Sequence, residues 1–132
     1  MIYNEGNTAS APSKIFYDSL ISAWSKSTYP DRGEKAEGVL REMFERYDKY
    51  PQTRLKPDAI TYGGVIDAWA KSDSPHAAMN AQRMLEEMWR RYEKGDMSIV
   101  PNVINYINVI RAWNKSPSPD CGKNAESLLR EM

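Results

Sequence analysis

Few side chains in this sequence could do covalent chemistry. It holds one histidine, His76, and one cysteine, Cys121. A histidine with no second His, Cys or Asp clustered near it makes a poor metal site, and a cysteine without a histidine partner makes a weak nucleophile. The Gly63–Gly64 pair stands inside a helical pattern rather than between a strand and a helix, where a phosphate-cradling loop would need it. These residues imply no enzyme, no cofactor and no small-molecule substrate. What does recur is a cation: Lys26, Lys71 and Lys115 stand 45 and 44 residues apart. Cations at that step also suit helix C-termini, where the peptide dipoles leave partial negative charge.

The lysines belong to a longer phrase. "IFYDSLISAWSKS" begins at Ile15, "ITYGGVIDAWAKS" at Ile60 and "INYINVIRAWNKS" at Ile104. A second phrase keeps the same step, with "AEGVLREM" from Ala36, "AQRMLEEM" from Ala81 and "AESLLREM" from Ala125. Two phrases locked to one period define a tandem repeat of the solenoid kind. Tyr62, Val65, Ile66 and Trp69 fall at i, i+3, i+4 and i+7, one face of a helix, and the other two copies repeat the stripe. Ala81, Met84, Leu85 and Met88 form a second stripe, extended by Tyr92. Ser13, Asp58 and Asn102 follow prolines at predicted helix starts and suit N-caps. Pro75 and Pro119 suit the first turn of the second helices, and Gly95 a C-terminal stop. Each unit therefore reads as a helical hairpin, A then B, that stacks on its neighbours to complete a core. The tryptophans are expected in the seam between A and B, and Gly63–Gly64 at a close approach or beside a ligand.

Bulk properties narrow the field. Lys plus Arg equals Asp plus Glu at 18 each in 132 residues, so no global basic field announces a nucleic-acid partner. A single cysteine excludes an internal disulfide and suits a reducing compartment. No apolar run approaches the roughly 18 residues a membrane span needs, so no membrane partner is expected. Residues 1–12 carry no arginine and no apolar block, and so lack the marks of a leader. Tyr3–Pro12 matches Tyr92–Pro101 in its Tyr, Gly and Pro positions, which predicts the stub of a preceding repeat. The units then run 13–57, 58–101 and, in part, 102–132, as one continuous stretch of a longer array.

A period of about 40–47 residues is shared by HEAT and armadillo arrays. The residues point elsewhere: "KPDAITYGGVIDAWAKS" followed by "AQRMLEEM" resembles the pentatricopeptide repeat family. The likeness covers nearly the whole chain. Units here are longer than the family's usual ones, as in some algal and protist members and in the repeat region of protein-only RNase P relatives. The resemblance implies an all-α, right-handed α-solenoid of antiparallel helix hairpins. It also implies binding of single-stranded RNA by the A helices, roughly one base per repeat, in RNA processing within a mitochondrion or plastid. Carried over by position, Ile15, Ile60 and Ile104 become base platforms. Asp18, Gly63 and Ile107 become base-reading positions, with Asp58 and Asn102 as their partners. Lys26, Lys71 and Lys115 become phosphate contacts. Gly63 and Ile107 offer no hydrogen-bonding side chain, so the sequence favours backbone binding over base reading. Stacking at about 1–3 kcal/mol per base gives three repeats roughly 3–9 kcal/mol. Association costs about 4–15 kcal/mol, so this stretch alone should bind weakly. The competing expectation is a protein-binding scaffold without RNA readout. A nuclease centre, if one exists, would lie outside this chain.

Overall fold

A computed structural model describes residues 13–131, so the predicted stub at 1–12 lies outside the described residues. Among them are six α-helices, one short 3-10 turn at Pro51–Thr53, and no strand. The helices are α1 (Lys14–Lys26), α2 (Arg32–Lys49), α3 (Ala59–Lys71), α4 (Ala77–Glu93), α5 (Val103–Lys115) and α6 (Cys121–Glu131). No described helix is long and apolar enough to cross a membrane.

Local chemistry sets the helix boundaries. Asp58 accepts from the backbone N–H groups of Ile60 and Thr61, and Thr61 Oγ1 returns a bond to the Asp58 N–H. Asn102 and Asn105 make the same reciprocal box, and Ser13 accepts from the Phe16 N–H. The three predicted caps therefore satisfy donors that a helix start leaves orphaned. At the other end of α4, Gly95 takes φ +106°; its N–H reaches Tyr92 O, and the Asp96 N–H reaches Arg91 O. That bond pair is the left-handed stop that glycine favours. The prolines behave differently from expectation. Pro75 and Pro119 do not enter the first turns of α4 and α6 but sit in the turns ahead of them. Ala77 N–H closes one turn on Ser74 O and Cys121 N–H the other on Ser118 O, with proline inside each loop. Proline fixes the backbone angle such a turn needs at its second position.

Packing follows the stripes. Helix α1 packs on α2 and α3, α2 on α3, α3 on α4 and α5, α4 on α5, and α5 on α6. Tyr62, Val65, Ile66, Ala81, Met84, Leu85 and Met88 are all buried in the core, as are Leu40 and Met43 of α2. Within a pair, the start of the first helix meets the far half of the second: Tyr17 donates to Glu42 at 3.0 Å and Tyr62 to Glu87 at 2.5 Å. The pairs are thus antiparallel. Trp69 and Trp113 are buried too, and their indole N–H groups show which seam they fill. Trp69 donates to Glu37 at 2.9 Å and Trp113 to Gln82 at 2.8 Å, each on the second helix of the preceding pair.

Glu37 and Glu87 tie the pairs together. Glu37 accepts from Arg83 at 2.6 Å and Arg41 at 3.2 Å as well as from Trp69. Burial alone would raise its carboxyl, but the hydrogen bonds from Arg83 and Trp69 outweigh it and hold the pKa below the ordinary range. Glu87 receives both ends of the Arg41 guanidinium at 2.8 and 2.9 Å. Burial opposes its charge as well, yet Arg41 and Tyr62 win and bring it to about 2.

Candidate nucleic-acid interface

The first helices α1, α3 and α5 lie side by side, with starts against starts and ends against ends. Lys14 of α1 pairs with Asp58 at the start of α3 at 3.1 Å. Near the other end, Ser25 donates to Asp67, and Lys115 of α5 donates to Ala70 O of α3 at 3.0 Å. The three helices therefore run parallel and nearly in register. Gly63 and Gly64 permit the approach. A Cβ on Gly64 would stand 2.8 Å from Ile21 Cγ2, and one on Gly63 would stand 3.3 Å from Asn105 Nδ2. Close packing, rather than room for a ligand, accounts for both glycines.

Register sets out matching side chains on one face. Ile15, Ile60 and Ile104 project from the three first turns and are 77%, 73% and 64% exposed. Such exposure of large aliphatic groups at one repeated position is not explained by the core. Lys26, Lys71 and Lys115 are exposed at the opposite end of the same helices. Between them, Ile107 is exposed, while Asp18 and Gly63 are half-buried. Asn102 is exposed at its cap and Asp58 is half-buried at the equivalent one.

Electrostatics divide these positions. Asp18 and Asp58 do come together, but around Lys14, whose ammonium lies 2.5 Å from Asp18 and 3.1 Å from Asp58. The Thr61 hydroxyl stands 2.8 Å from Asp18 and 3.2 Å from Asp58. Burial disfavours the Lys14 charge, and the two carboxylates overcome it, so its pKa is raised. Burial likewise opposes the Asp58 charge, and Lys14 and the Thr61 N–H lower its pKa despite it. The two carboxylates are thus already occupied. Of the lysines, Lys71 pairs with Asp67 at 3.0 Å and Lys115 spends a donor on Ala70 O. Lys26 has no partner among the described residues.

Three residues at this face escaped sequence reasoning. Lys14 neutralises the acidic pair, and Asp67 holds Lys71. Arg111, exposed on α5, has no ion pair among the described residues and adds a cation beside Lys115. Its signal was available: Arg111 stands seven residues after Ile104 and four before Lys115, hence on their helix face. At the lysine end, Lys26, Lys71, Arg111 and Lys115 stand on the last turns of the three helices, where Asp67 pairs with Lys71 and Asp73 lines the same cleft as Lys115.

Among the described residues, no group of three or more His, Cys, Asp or Glu side chains could hold a metal ion. No protein-family model, curated protein or solved structure matches this chain.

Proposed function

We propose that this chain is a single-stranded RNA-binding module of stacked helix hairpins, arranged as a right-handed solenoid with the α1–α3–α5 face as its RNA surface. One observation carries the reading: three parallel helices repeat an exposed isoleucine at one end and an exposed lysine at the other. An aliphatic head supplies a flat apolar surface for a base, and a cation one helix length away meets phosphate. Such contacts are sequence-tolerant, because every base has a π-face and every nucleotide a phosphate. Base reading is weak on this surface. Lys14 already satisfies Asp18 and Asp58, and Gly63 and Ile107 present no hydrogen-bonding groups. Organellar RNA processing, the role implied by resemblance to pentatricopeptide repeats, fits a backbone-binding module without requiring catalysis in this chain.

The test is retention of pooled single-stranded RNA at low salt, followed by fluorescence anisotropy. The native chain should bind weakly, with log K falling against log salt at a slope near −2 for three contacts, about −0.7 per contact on a single strand. Lys26→Glu, Lys71→Glu and Lys115→Glu together should abolish binding. Salt-independent binding, or an unaffected triple variant, would refute this surface.

A protein-binding scaffold is the second reading, favoured by the pairing of Lys71 with Asp67 and of Lys115 with a backbone carbonyl. It predicts no RNA retention at any salt concentration.

A further inference from the structure

The first residue of each second helix decides how the cleft between neighbouring hairpins is closed. Arg32, Ala77 and Cys121 hold that place in α2, α4 and α6. Between the first and second hairpins, Arg32 fills the cleft. Its guanidinium donates to Ser27 O at 2.7 Å, to Tyr29 O at 3.3 Å, and to Lys71 O at the end of α3. Beside it, the Gly33 N–H donates to the buried Ser72 hydroxyl at 2.8 Å. A Cβ on Gly33 would stand 2.7 Å from that hydroxyl and 2.5 Å from the Trp69 ring, so this contact requires glycine.

Between the second and third hairpins both residues change, to Ala77 and Ala78. The Ala78 Cβ bars the close approach. Ser116, the counterpart of Ser72, is half-buried and accepts from the Ser118 N–H at 3.1 Å instead. No described group donates to Ser72 O or Lys115 O, the counterparts of Ser27 O and Lys71 O. What results is an open cleft of about 260 Å³, walled entirely by residues 70–117. It owes nothing to where the sequence starts or stops: the first cleft is filled by Arg32 even though a third hairpin follows. Charge suits a cation. The last carbonyls of α3 and α5 carry partial negative charge. Asp73 lines this cleft where the filled one has Thr28. Lys115 lines it too, but its ammonium is held on Ala70 O at 3.0 Å, and Lys71 in the equivalent place does not displace Arg32.

We propose that the cleft between the second and third hairpins binds a guanidinium group, carried by an arginine side chain or by a free alkylguanidinium. The group takes the place that Arg32 fills one repeat earlier, donating to Ser72 O and Lys115 O beside the Asp73 carboxylate. A planar fork with several donors suits two fixed carbonyls better than a single ammonium does. An anion meets those carbonyls unfavourably, because they can only accept. The site needs no RNA, and Lys115 enters it only as a wall.

Amide chemical-shift titration of the whole chain, without RNA and at constant ionic strength, tests this. Millimolar ethylguanidinium should move the Asp73, Ala78 and Ser116 signals along saturable curves. Propylammonium, which lacks the fork, should bind at least about fivefold more weakly. Asp73→Asn should weaken ethylguanidinium by about two- to fivefold, the range of a solvent-exposed ion pair. Ala77→Arg supplies the group from within the chain and should abolish the response, with circular dichroism checking its fold. If that variant fails to fold, the propylammonium and Asp73→Asn comparisons decide. A blocked Gly-Arg-Gly peptide forms the second arm. Peptide binding as tight as that of ethylguanidinium, or tighter, points to an arginine of a protein partner, and weaker peptide binding to a free compound. Saturable shifts from neither probe, equal binding of propylammonium, or inorganic phosphate moving the same signals in their place would overturn the proposal. So would an unaltered response in folded Ala77→Arg.

Discussion

Glu87→Gln probes the junction between hairpins with a magnitude the structure supplies. The carboxylate accepts both arms of Arg41 and the Tyr62 hydroxyl, and its side chain is 14% exposed. Burial opposes the charge, while Arg41 and Tyr62 bring its pKa from 4.5 to about 2. At 1.36 kcal/mol per unit, that difference corresponds to about 3 kcal/mol favouring the folded state. A folded pKa below the unfolded one gives stability that is complete above pH 4.5 and is lost as pH falls toward 2. Gln keeps the shape and loses the charge. Urea unfolding at pH 7 should therefore place the variant about 2–3 kcal/mol below the native chain. By pH 3 about half of that gap should have closed, because the native chain is itself losing the contribution. Glu37 also has a lowered pKa and shares Arg41 with Glu87, so Glu37→Gln and the double variant complete the cycle that separates the two carboxylates. A gap that stays constant from pH 7 to 3, or widens on acidification, would refute the assignment of this carboxylate as the electrostatic pin of the seam.

The remaining expectations concern helix approach, capping and charge. Gly33→Ala would bring a Cβ within 2.5 Å of the Trp69 ring and Gly64→Ala one within 2.8 Å of Ile21, so urea midpoints should show losses of about 1–3 kcal/mol. Gly38, in the middle of α2 with nothing near a new Cβ, should instead gain roughly 0.5–1 kcal/mol on change to Ala. Asp58→Ala should cost about 1 kcal/mol, and Asp58→Asn much less, because amide and carboxylate cap equally well. A large loss in Asp58→Asn would assign the stability to the Lys14 ion pair instead. If Arg111 makes a fourth phosphate contact, the native salt slope should steepen to about −2.8, and Arg111→Glu should weaken RNA binding and return the slope to about −2.

Periodicity made the helices, their antiparallel pairing and their N-caps legible, because each depends on residues a few positions apart. Asp58 and Asn102 declared themselves beside proline, and Gly95 after a basic run, before any tertiary contact is considered. The placement of Pro75 and Pro119 was not legible to the same depth. Proline is compatible with both a first helical turn and the turn before it, and the Ser74 and Ser118 carbonyls decide between them. Nor could the pattern assign the tryptophans to the second helix of the preceding pair. That assignment depends on Glu37 and Gln82, about 31–32 residues away in sequence.

The site shows the deeper limit. Position within a repeat identifies which side chains share a face, and Ile15, Ile60 and Ile104 do share one. It says nothing of whether a charge there remains available. Asp18 and Asp58 belong to different repeats, and only the parallel register of α1 and α3 delivers Lys14 to both. Lys71 is matched by an aspartate one turn earlier, and the equivalent residue in α5 is Arg111. The same repeat position therefore weakens the positive field at one helix and strengthens it at the next. RNA affinity, if carried by this face, should concentrate at the α5 end, with Lys115→Ala and Arg111→Ala costing more binding than Lys71→Ala. Equal losses at all three would show that solvent screening erases the Asp67 pairing and that the repeat phrase alone sets the charge.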